Sequence, residues 1–161
     1  MLYSFDEMPD TSRMWIYQSD RPFTEAEILA IEQEARVFVD SWAAHGQKLK
    51  AAYKIEHKQF LLLAVDESFN EASGCSIDES VGFIKNLEQT LGLQLLNRSN
   101  VAFYIDGEVV VEPLKDLKSR IDEGQIKKDT LIFNGFINKL EDFRNAWTQP
   151  AEESWMARYF R

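Results

Sequence analysis

The chain has 161 residues, with 18 basic and 27 acidic side chains and a formal net charge of −9. This length supports one domain with a sizeable core, and the negative charge without any basic run argues against binding to nucleic acid. The single cysteine excludes an intramolecular disulfide, and we expect a cytoplasmic protein. The longest apolar run, residues 60–65, is too short for membrane insertion, and we expect no export signal at the N-terminus.

The first third of the chain predicts one strand and one long helix. Residues 14–17 are aromatic and β-prone, which is typical of a strand. Thr24 and Glu27 match the capping-box pattern, and apolar residues then recur every three or four positions. We therefore predict a helix over residues 24–44, which Gly46 ends.

Two strand-like runs follow, over residues 48–56 and 59–66. The two residues between them predict a hairpin turn. The first run alternates imperfectly between apolar and polar residues, whereas residues 60–65, FLLLAV, are apolar on both faces. The second run is therefore predicted to be a central strand of a sheet.

Residues 74–92 have the pattern of a capped amphipathic helix that carries the only cysteine. Ser76 and Glu79 match a second capping box, and Gly92 is placed to end the helix. One apolar face is formed by residues at three- and four-residue steps, namely Ile77, Val81, Ile84, Leu87 and Leu91. In this interpretation Cys75 lies just before the cap, at the positive end of the helix.

The last third predicts a hairpin, a short helix, a strand and a final helix. Asp106 and Gly107 stand between two β-prone runs, which is a strong hairpin signal. Pro113 suits the start of a short helix that Gly124 ends. The remaining predicted elements are a strand over residues 130–133, a helix over residues 136–147 and a docked turn over residues 155–160.

The order of elements up to residue 105 is strand, helix, strand, strand, helix, strand. This is the order of ferredoxin-like folds, in which two helices cover one face of an antiparallel sheet. We therefore predict the class α+β, with a ferredoxin-like β-α-β-β-α-β core over residues 13–105 and a C-terminal β-β-α-β extension. Residues 1–161 together are predicted to form a single compact domain.

The loop before the second long helix is the candidate functional site. Its candidate residues are Asp66, Gly74, Cys75, Ser76 and Asp78. A thiol at a helix N-terminus can act as a nucleophile, and free backbone N–H groups there can bind an anion. Against both functions, the predicted cap already uses those donors, and the only histidines, His45 and His57, are distant in sequence. We therefore expect Cys75 to be a buried, neutral packing residue that reacts slowly with alkylating agents.

The sequence predicts neither a metal site nor a cofactor. The acidic residues around this loop lack the spacing of an EF-hand, and one cysteine with two histidines cannot form a cysteine-rich zinc site. The chain contains no Gly-Lys dipeptide, hence no Walker-type phosphate loop, and no G-x-G-x-x-G pattern. We therefore expect that the protein neither binds nor hydrolyses ATP.

Two aromatic segments near the termini are candidate interfaces with a protein partner or a second copy. Each places aromatic side chains beside arginine, a composition that is enriched at protein interfaces. The candidate residues are Trp15, Tyr17, Trp155, Arg158 and Tyr159. Anchoring of the two termini explains the same residues equally well.

Four segments carry a resemblance to a known family. They are PDTSRMWIYQSDRPF at residues 9–23, AVD at residues 64–66, ASGCSIDESVGFI at residues 72–84 and SWMARYF at residues 154–160. The chain resembles a family of small bacterial proteins that often carry the label "ABC transporter ATPase". The label implies ATP hydrolysis, but the Walker and signature motifs are missing, and the family implies no catalytic residues here.

Residues 101–150 carry a second resemblance. The order FYIDGEVVVEPLKDLKSRIDEGQIKKDTLIFNGF looks like GYF-type modules, with a hairpin, a short helix, an EG-x-I turn and a strand. Glu112, Pro113 and Leu114 stand where such modules have Gly-Pro-Phe, and their aromatic peptide-binding set is incomplete here. The resemblance implies a similar local fold rather than the same peptide site.

Taken with the missing catalytic motifs, these features favour a non-enzymatic module that binds a protein partner or itself. The alternative is a small-molecule-binding protein or a thiol-dependent enzyme with its site in the loop of residues 74–78. A pocket that contains Cys75 and a histidine within hydrogen-bond reach would favour the enzyme. A large apolar surface patch near Trp15 or Trp155, with Cys75 buried and unpartnered, would favour the interaction module.

Overall fold

A computed structural model describes residues 1–161, and it confirms the α+β class. The helices are α1 (Glu25–Ser41), α2 (Gly74–Leu91), α3 (Leu117–Asp122) and α4 (Leu140–Ala146). The strands are β1 (Arg13–Gln18), β2 (Ala43–Ala44), β3 (Gln47–Lys48), β4 (Ala51–Glu56), β5 (Phe60–Val65), β6 (Asn100–Ile105), β7 (Glu108–Pro113), β8 (Leu131–Phe133) and β9 (Thr148–Pro150). Short 3-10 helices occupy Phe5–Glu7, Leu114–Asp116, Ala151–Glu153 and Trp155–Phe160. None of the helices is both long enough and apolar enough to cross a membrane.

The chain divides into two compact units. The first unit contains residues 1–96 and 137–143, and the second contains residues 97–136 and 144–161. The division falls close to residue 101, where the predicted C-terminal extension begins. The return of residues 137–143 to the first unit is not predicted, because it depends on contacts between residues far apart in the chain.

The first unit is built on a three-stranded antiparallel sheet in the order β1-β5-β4. β5 lies in the middle, as its doubly apolar pattern predicts, and all six of its residues are buried. The β4–β5 hairpin turns at His57 and Lys58, which both have positive φ values, 51° and 52°. That combination matches the tight turns that suit the right-handed twist of a hairpin.

The ferredoxin-like topology is not confirmed. It requires the strand over residues 101–105 to pair with β1, but β6 belongs to a separate sheet. The outer edge of β1 is instead bound by a returning segment. Met14 N donates to Asn138 O at 3.0 Å, and Leu140 N donates to Ser12 O at 2.9 Å. β1, α1, β4, β5 and α2 thus follow the predicted pattern, and only its last strand is absent from this sheet.

The two long helices cover one face of this sheet, as predicted. Buried residues of α1, α2 and β5 form one cluster that includes Ile31, Val39, Ile84, Leu87, Leu61, Leu63 and Val65. Phe38 of α1 stacks on Phe83 of α2 with ring centroids 4.5 Å apart. The helices therefore share one core with the alternate residues of β5 that face them.

The capping box that starts α1 is confirmed. Glu27 N donates to Thr24 Oγ1 at 3.1 Å, and Thr24 N donates to Glu27 Oε1 at 2.8 Å. The helix ends at Ser41 rather than at residue 44, because β2 and β3 form a small hairpin there. The positive φ of His45 and Gly46, 54° and 75°, makes the turn of that hairpin.

Glu27 also forms a bidentate ion pair with Arg21. The Arg21 Nη1 and Nη2 atoms each donate to one Glu27 carboxylate oxygen at 2.8 Å. The hydrogen bonds from Arg21, helped by the backbone N–H of Thr24, lower the pKa of Glu27 from 4.5 to about 2. Because the folded-state pKa is depressed, this pair stabilises the protein above pH 4.5 and loses its effect as the pH falls toward 2.

Glu27→Gln should therefore lower the free energy of unfolding at pH 7 by about 1–2 kcal/mol, a value reduced for the solvent exposure of Arg21. Glutamine can still accept the Thr24 N–H bond, so the cap is retained and mainly the ion pair is lost. Urea unfolding of both proteins between pH 7 and pH 2 checks this. The difference should shrink steadily below pH 4.5, and a difference that stays constant down to pH 2 would contradict the assignment.

The second unit contains a four-stranded sheet in the order β7-β6-β8-β9. The β6–β7 hairpin turns at Asp106 and Gly107 with φ values of 52° and 78°, as the sequence predicts. Gly124 follows the short helix α3 with a φ of 79°. β9 is not predicted, and its three residues pair with β8 across a long connection. The buried core of this unit includes Phe103, Leu117, Ile126, Ile132, Ala151 and Met156.

Candidate functional site

The helix that carries Cys75 starts three residues earlier than the sequence predicts. Ser73, not Ser76, is the N-cap: Ser76 N donates to Ser73 Oγ at 3.1 Å, and Ser73 N donates to Ser76 Oγ at 2.7 Å. The predicted capping box of Ser76 and Glu79 is therefore wrong. The hydroxyl oxygen of Ser76 accepts the hydrogen bond from the backbone N–H of the N-cap residue, a bond that the carboxylate of Glu79 is predicted to accept.

This shift changes the environment of the thiol. Cys75 is exposed in the first turn of α2, so the prediction of a buried packing residue is wrong. The neighbouring Ser76 is the buried residue, and its carbonyl accepts a hydrogen bond from Trp42 Nε1 at 2.8 Å. Cys75 faces solvent because the helix directs the next residue, Ser76, toward the core.

No histidine is hydrogen-bonded to the thiol. His57 lies in the turn before β5, whereas α2 follows the other end of that strand, roughly 20 Å away for six residues. His45 is exposed in the β2–β3 turn and makes no hydrogen bond with Cys75. The arrangement of a nucleophile with an adjacent base is therefore not formed here.

An exposed Cys75 should react with iodoacetamide in the native protein at a rate within about threefold of the rate in 6 M guanidinium, because nothing shields it. Cys75→Ala should change the free energy of unfolding by less than about 0.5 kcal/mol, the usual range for surface substitutions. Mass spectrometry of the alkylated protein and urea unfolding check the two statements. Protection by a factor of 100 in the native protein would place the thiol in the core instead.

Asp66 is buried and has a structural role at the end of β5. Its Oδ1 accepts from Ser68 Oγ at 2.6 Å and from Ser68 N at 3.1 Å, and Lys50 Nζ lies 3.5 Å from Oδ2. The hydrogen bonds from Ser68, with the nearby ammonium of Lys50, hold the pKa of Asp66 below its usual value. The carboxylate is thus occupied by its own loop, in an Asx-type turn.

Two further polar groups of this loop also have partners within the first unit. Asn70 Nδ2 donates to Gln47 O at 3.0 Å, and Ala72 N donates to Glu67 Oε2 at 2.9 Å. Gly74 and Asp78 are exposed on the first turns of α2. No group of three or more metal-ligating side chains is arranged to hold a metal ion. The five predicted site residues are close in sequence, but none of them lines the groove described below.

The predicted interface residues mostly anchor their own segments. Tyr17 is only 6% exposed and belongs to the core, so its prediction as an interface residue is wrong. Trp15 is half-buried and packs on Trp42, with ring centroids 5.7 Å apart. In the second unit, Trp155 and Tyr159 are partly buried against its core. Arg158 is exposed, and its guanidinium carbon lies 5.2 Å from the centroid of the Tyr159 ring.

An open groove of about 600 Å³ lies elsewhere in the first unit. We call it the edge groove. It is lined by the N-terminal segment, by one face of α1 and by β4, through Leu2, Tyr3, Ser4, Phe5, Asp6, Glu32, Arg36, Tyr53, Lys54 and Ile55. None of these residues is a candidate in the sequence analysis.

The edge groove runs along the free side of β4, which is an edge strand. Asp66 N donates to Lys50 O at 2.8 Å, so the backbone groups of even-numbered residues face β5. Those of odd-numbered residues face outward. For Ala51 they are satisfied: Tyr3 N donates to Ala51 O at 2.8 Å, and Ala51 N donates to Met1 O at 3.0 Å.

After Tyr3 the N-terminal segment leaves the strand and turns into the short helix Phe5–Glu7. The outward N–H and C=O groups of Tyr53 and Ile55 consequently have no hydrogen-bond partner in the protein. The side chains of these two residues point to the α1 side and pack against the core of the first unit. The groove therefore exposes two consecutive pairing positions of a strand.

The charged groups of the edge groove fall into two sets. Lys54 Nζ lies 2.9 Å from Asp6 Oδ1 and 3.0 Å from Glu56 Oε1, and the hydrogen bond that Lys54 donates to Asp6 is the main cause that raises the pKa of Lys54. Arg36 and Glu32, on α1, are exposed and form no ion pair. The groove thus contains one ammonium that is paired with carboxylates, that of Lys54, and one guanidinium without an ion pair, that of Arg36.

The sequence holds only a weak signal for this groove, the imperfect alternation of residues 48–56. Imperfect alternation with several lysines is typical of an edge strand, but it does not show which side of the strand is open. In comparisons with known proteins, no protein-family model, no curated protein and no solved structure matches this chain.

Proposed function

We propose that this protein is a non-enzymatic interaction module that binds an extended segment of a partner protein along the free edge of β4. One observation carries the proposal: the outward N–H and C=O groups of Tyr53 and Ile55 face a groove of about 600 Å³ without partners. Exposed sheet edges bind extended peptides by adding a strand, and the backbone hydrogen bonds supply the affinity.

The geometry limits the size and affinity of the bound segment. The open part of the edge runs from Tyr53 to Ile55, roughly 10 Å at the usual rise of a strand. A segment of three to five residues covers it and forms up to four backbone hydrogen bonds, each contributing about 0.5–1.5 kcal/mol net. These bonds give at most about 6 kcal/mol before the cost of association, so side-chain contacts must supply part of the affinity, and we expect weak binding with dissociation constants of about 0.1–1 mM.

A second copy of the chain fits this edge poorly. In the antiparallel register that pairs Tyr53 of one copy with Ile55 of the other, Lys54 lies directly opposite Lys54. Like charges directly opposite each other destabilise a strand pair. The net charge of −9 on each copy adds a general repulsion. A different protein is therefore the better occupant.

The thiol alternative has less support. The exposed Cys75 makes no hydrogen bond with a base and does not line the edge groove. Nucleophilic catalysis needs both an activated thiol and a place for substrate. We therefore place the function at β4 rather than at the loop before α2.

A selection from a random seven-residue peptide display library tests the proposal. Selected peptides are titrated into the ¹⁵N-labelled protein, and the amide shifts and exchange rates of Tyr53 and Ile55 are followed. We expect both amides to shift and to become protected from exchange, because they donate hydrogen bonds to the peptide.

Two variants separate backbone pairing from side-chain contact. Ile55→Pro and Ile55→Ala both remove the isoleucine side chain, but only proline removes the outward N–H. We expect Ile55→Pro to bind the peptides about fivefold more weakly than Ile55→Ala, as the loss of one hydrogen bond implies. Equal affinities, peptides that shift other residues only, or a β4-paired dimer in sedimentation would each overturn the proposal.

A further inference from the structure

Resting on the proposed function, we infer that the segment bound in the edge groove carries one carboxylate side chain, which Arg36 of α1 recognises. Arg36 lines the groove and forms no ion pair. A guanidinium presents a fork of donors that matches both oxygens of a carboxylate. The partner is therefore an extended peptide with an aspartate or glutamate at one fixed position.

The position of Arg36 relative to Glu32 supports this role. The two residues are four apart on α1, with the acidic residue first, the arrangement that most favours an ion pair along a helix. In the structure they do not pair, and both line the edge groove. The guanidinium is thus available to a ligand without first breaking a contact.

The pleat of the added strand decides which peptide residue meets Arg36. Alternate side chains of an added strand point to opposite faces of the sheet. On the face of Lys54, the ammonium is already bound by Asp6 and Glu56, so a peptide carboxylate finds no free cation there. On the face of Tyr53 and Ile55, a peptide side chain lies beside α1. The carboxylate is therefore expected on the α1 side.

Glu32 limits the number of acidic residues. Its exposed carboxylate lines the same face of the groove one helical turn before Arg36, about 6 Å along the helix axis. Side chains on one face of an extended peptide are roughly 7 Å apart. A second acidic residue two positions away would then lie near Glu32 and be repelled. The groove accordingly favours one carboxylate over an acidic run.

The probe is the tightest-binding heptapeptide of the display selection, together with its analogue in which each acidic residue is replaced by the matching amide. We expect the selected peptides to share one acidic position and the amide analogue to bind about fivefold more weakly at low salt. Arg36→Gln should weaken binding of the acidic peptide by about the same factor and leave binding of the amide analogue unchanged.

Lys85→Gln is the matched control. Lys85 is exposed on α2, does not line the groove, and its substitution removes the same charge. We expect wild-type affinity for both peptides. Selected peptides without a shared acidic position, or equal effects of Arg36→Gln and Lys85→Gln, would overturn this inference. Binding that still depends on the outward N–H of Ile55 in that case would leave the proposed function standing, so the two failures are distinguishable.

Discussion

Trp42→Ala should lower the free energy of unfolding by about 3–5 kcal/mol, the range for loss of a large buried aromatic side chain. Trp42 is 1% exposed and lies between the two long helices and the sheet. Its ring packs on Phe38 at 5.1 Å and on Trp15 at 5.7 Å between centroids. Its Nε1 donates to Ser76 O at 2.8 Å in the core. No neighbouring side chain can fill the cavity without leaving its own contacts.

Urea unfolding followed by circular dichroism measures this effect, with two variants as controls. Trp42→Phe keeps an aromatic ring but loses the N–H, and it should cost about 1–2 kcal/mol. Val37 lies on α1 at 69% exposure, and Val37→Ala should cost less than about 0.5 kcal/mol. A loss below about 1 kcal/mol for Trp42→Ala would show that the indole is not part of the core.

The helix α1 is predictable because its signals are local. The capping box of Thr24 and Glu27, the apolar spacing and the glycine after its end all lie within the helix or next to it. The start of α2 is harder to predict, because Ser73 and Ser76 are both suitable caps. The bond from Trp42 to the Ser76 carbonyl, 34 residues away, accompanies the burial of Ser76 inside the helix.

Assigning the cap to Ser76 instead of Ser73 is enough to make the predicted environment of the Cys75 thiol wrong. With the cap at Ser73, Cys75 and Ser76 both lie in the first turn of the helix, where the 100° step per residue directs them to different sides. Cys75, assigned to the position before the cap, is exposed in the first turn, and Ser76 is buried instead. The burial of single residues near a helix end cannot be derived from a sequence pattern that fits two positions of the N-cap, Ser73 and Ser76.

The sheet order was only partly predictable. The doubly apolar pattern of β5 indicates a central strand, and the structure confirms it. The pattern does not indicate which segment borders β1, because residues 137–143 reach it across more than 100 residues of chain. Predicting the edge groove also requires knowing which segments pair with each strand. Every strand has N–H groups along both of its edges, and only the full pairing of the sheet shows that those of Tyr53 and Ile55 are open.

The position of proline along β4 should decide whether the first unit tolerates it. Lys54 N faces β5 in the register that pairs Lys54 with Leu62, whereas Ile55 N faces the edge groove. Lys54→Pro removes a hydrogen bond of the sheet and leaves the Leu62 carbonyl buried without its donor. We expect it to cost about 3 kcal/mol more than Lys54→Ala, which loses only the partly exposed ion pairs.

At the neighbouring position the same comparison should give a small difference. Ile55→Ala and Ile55→Pro both lose contacts with the core, but the N–H that proline removes has no partner within the protein. We expect Ile55→Pro to be less stable than Ile55→Ala by no more than about 1 kcal/mol, because proline is tolerated where a strand faces solvent. Urea unfolding of the four variants measures both differences. If the larger proline effect appears at Ile55, the outward groups of β4 are already paired, and the edge is closed to any partner.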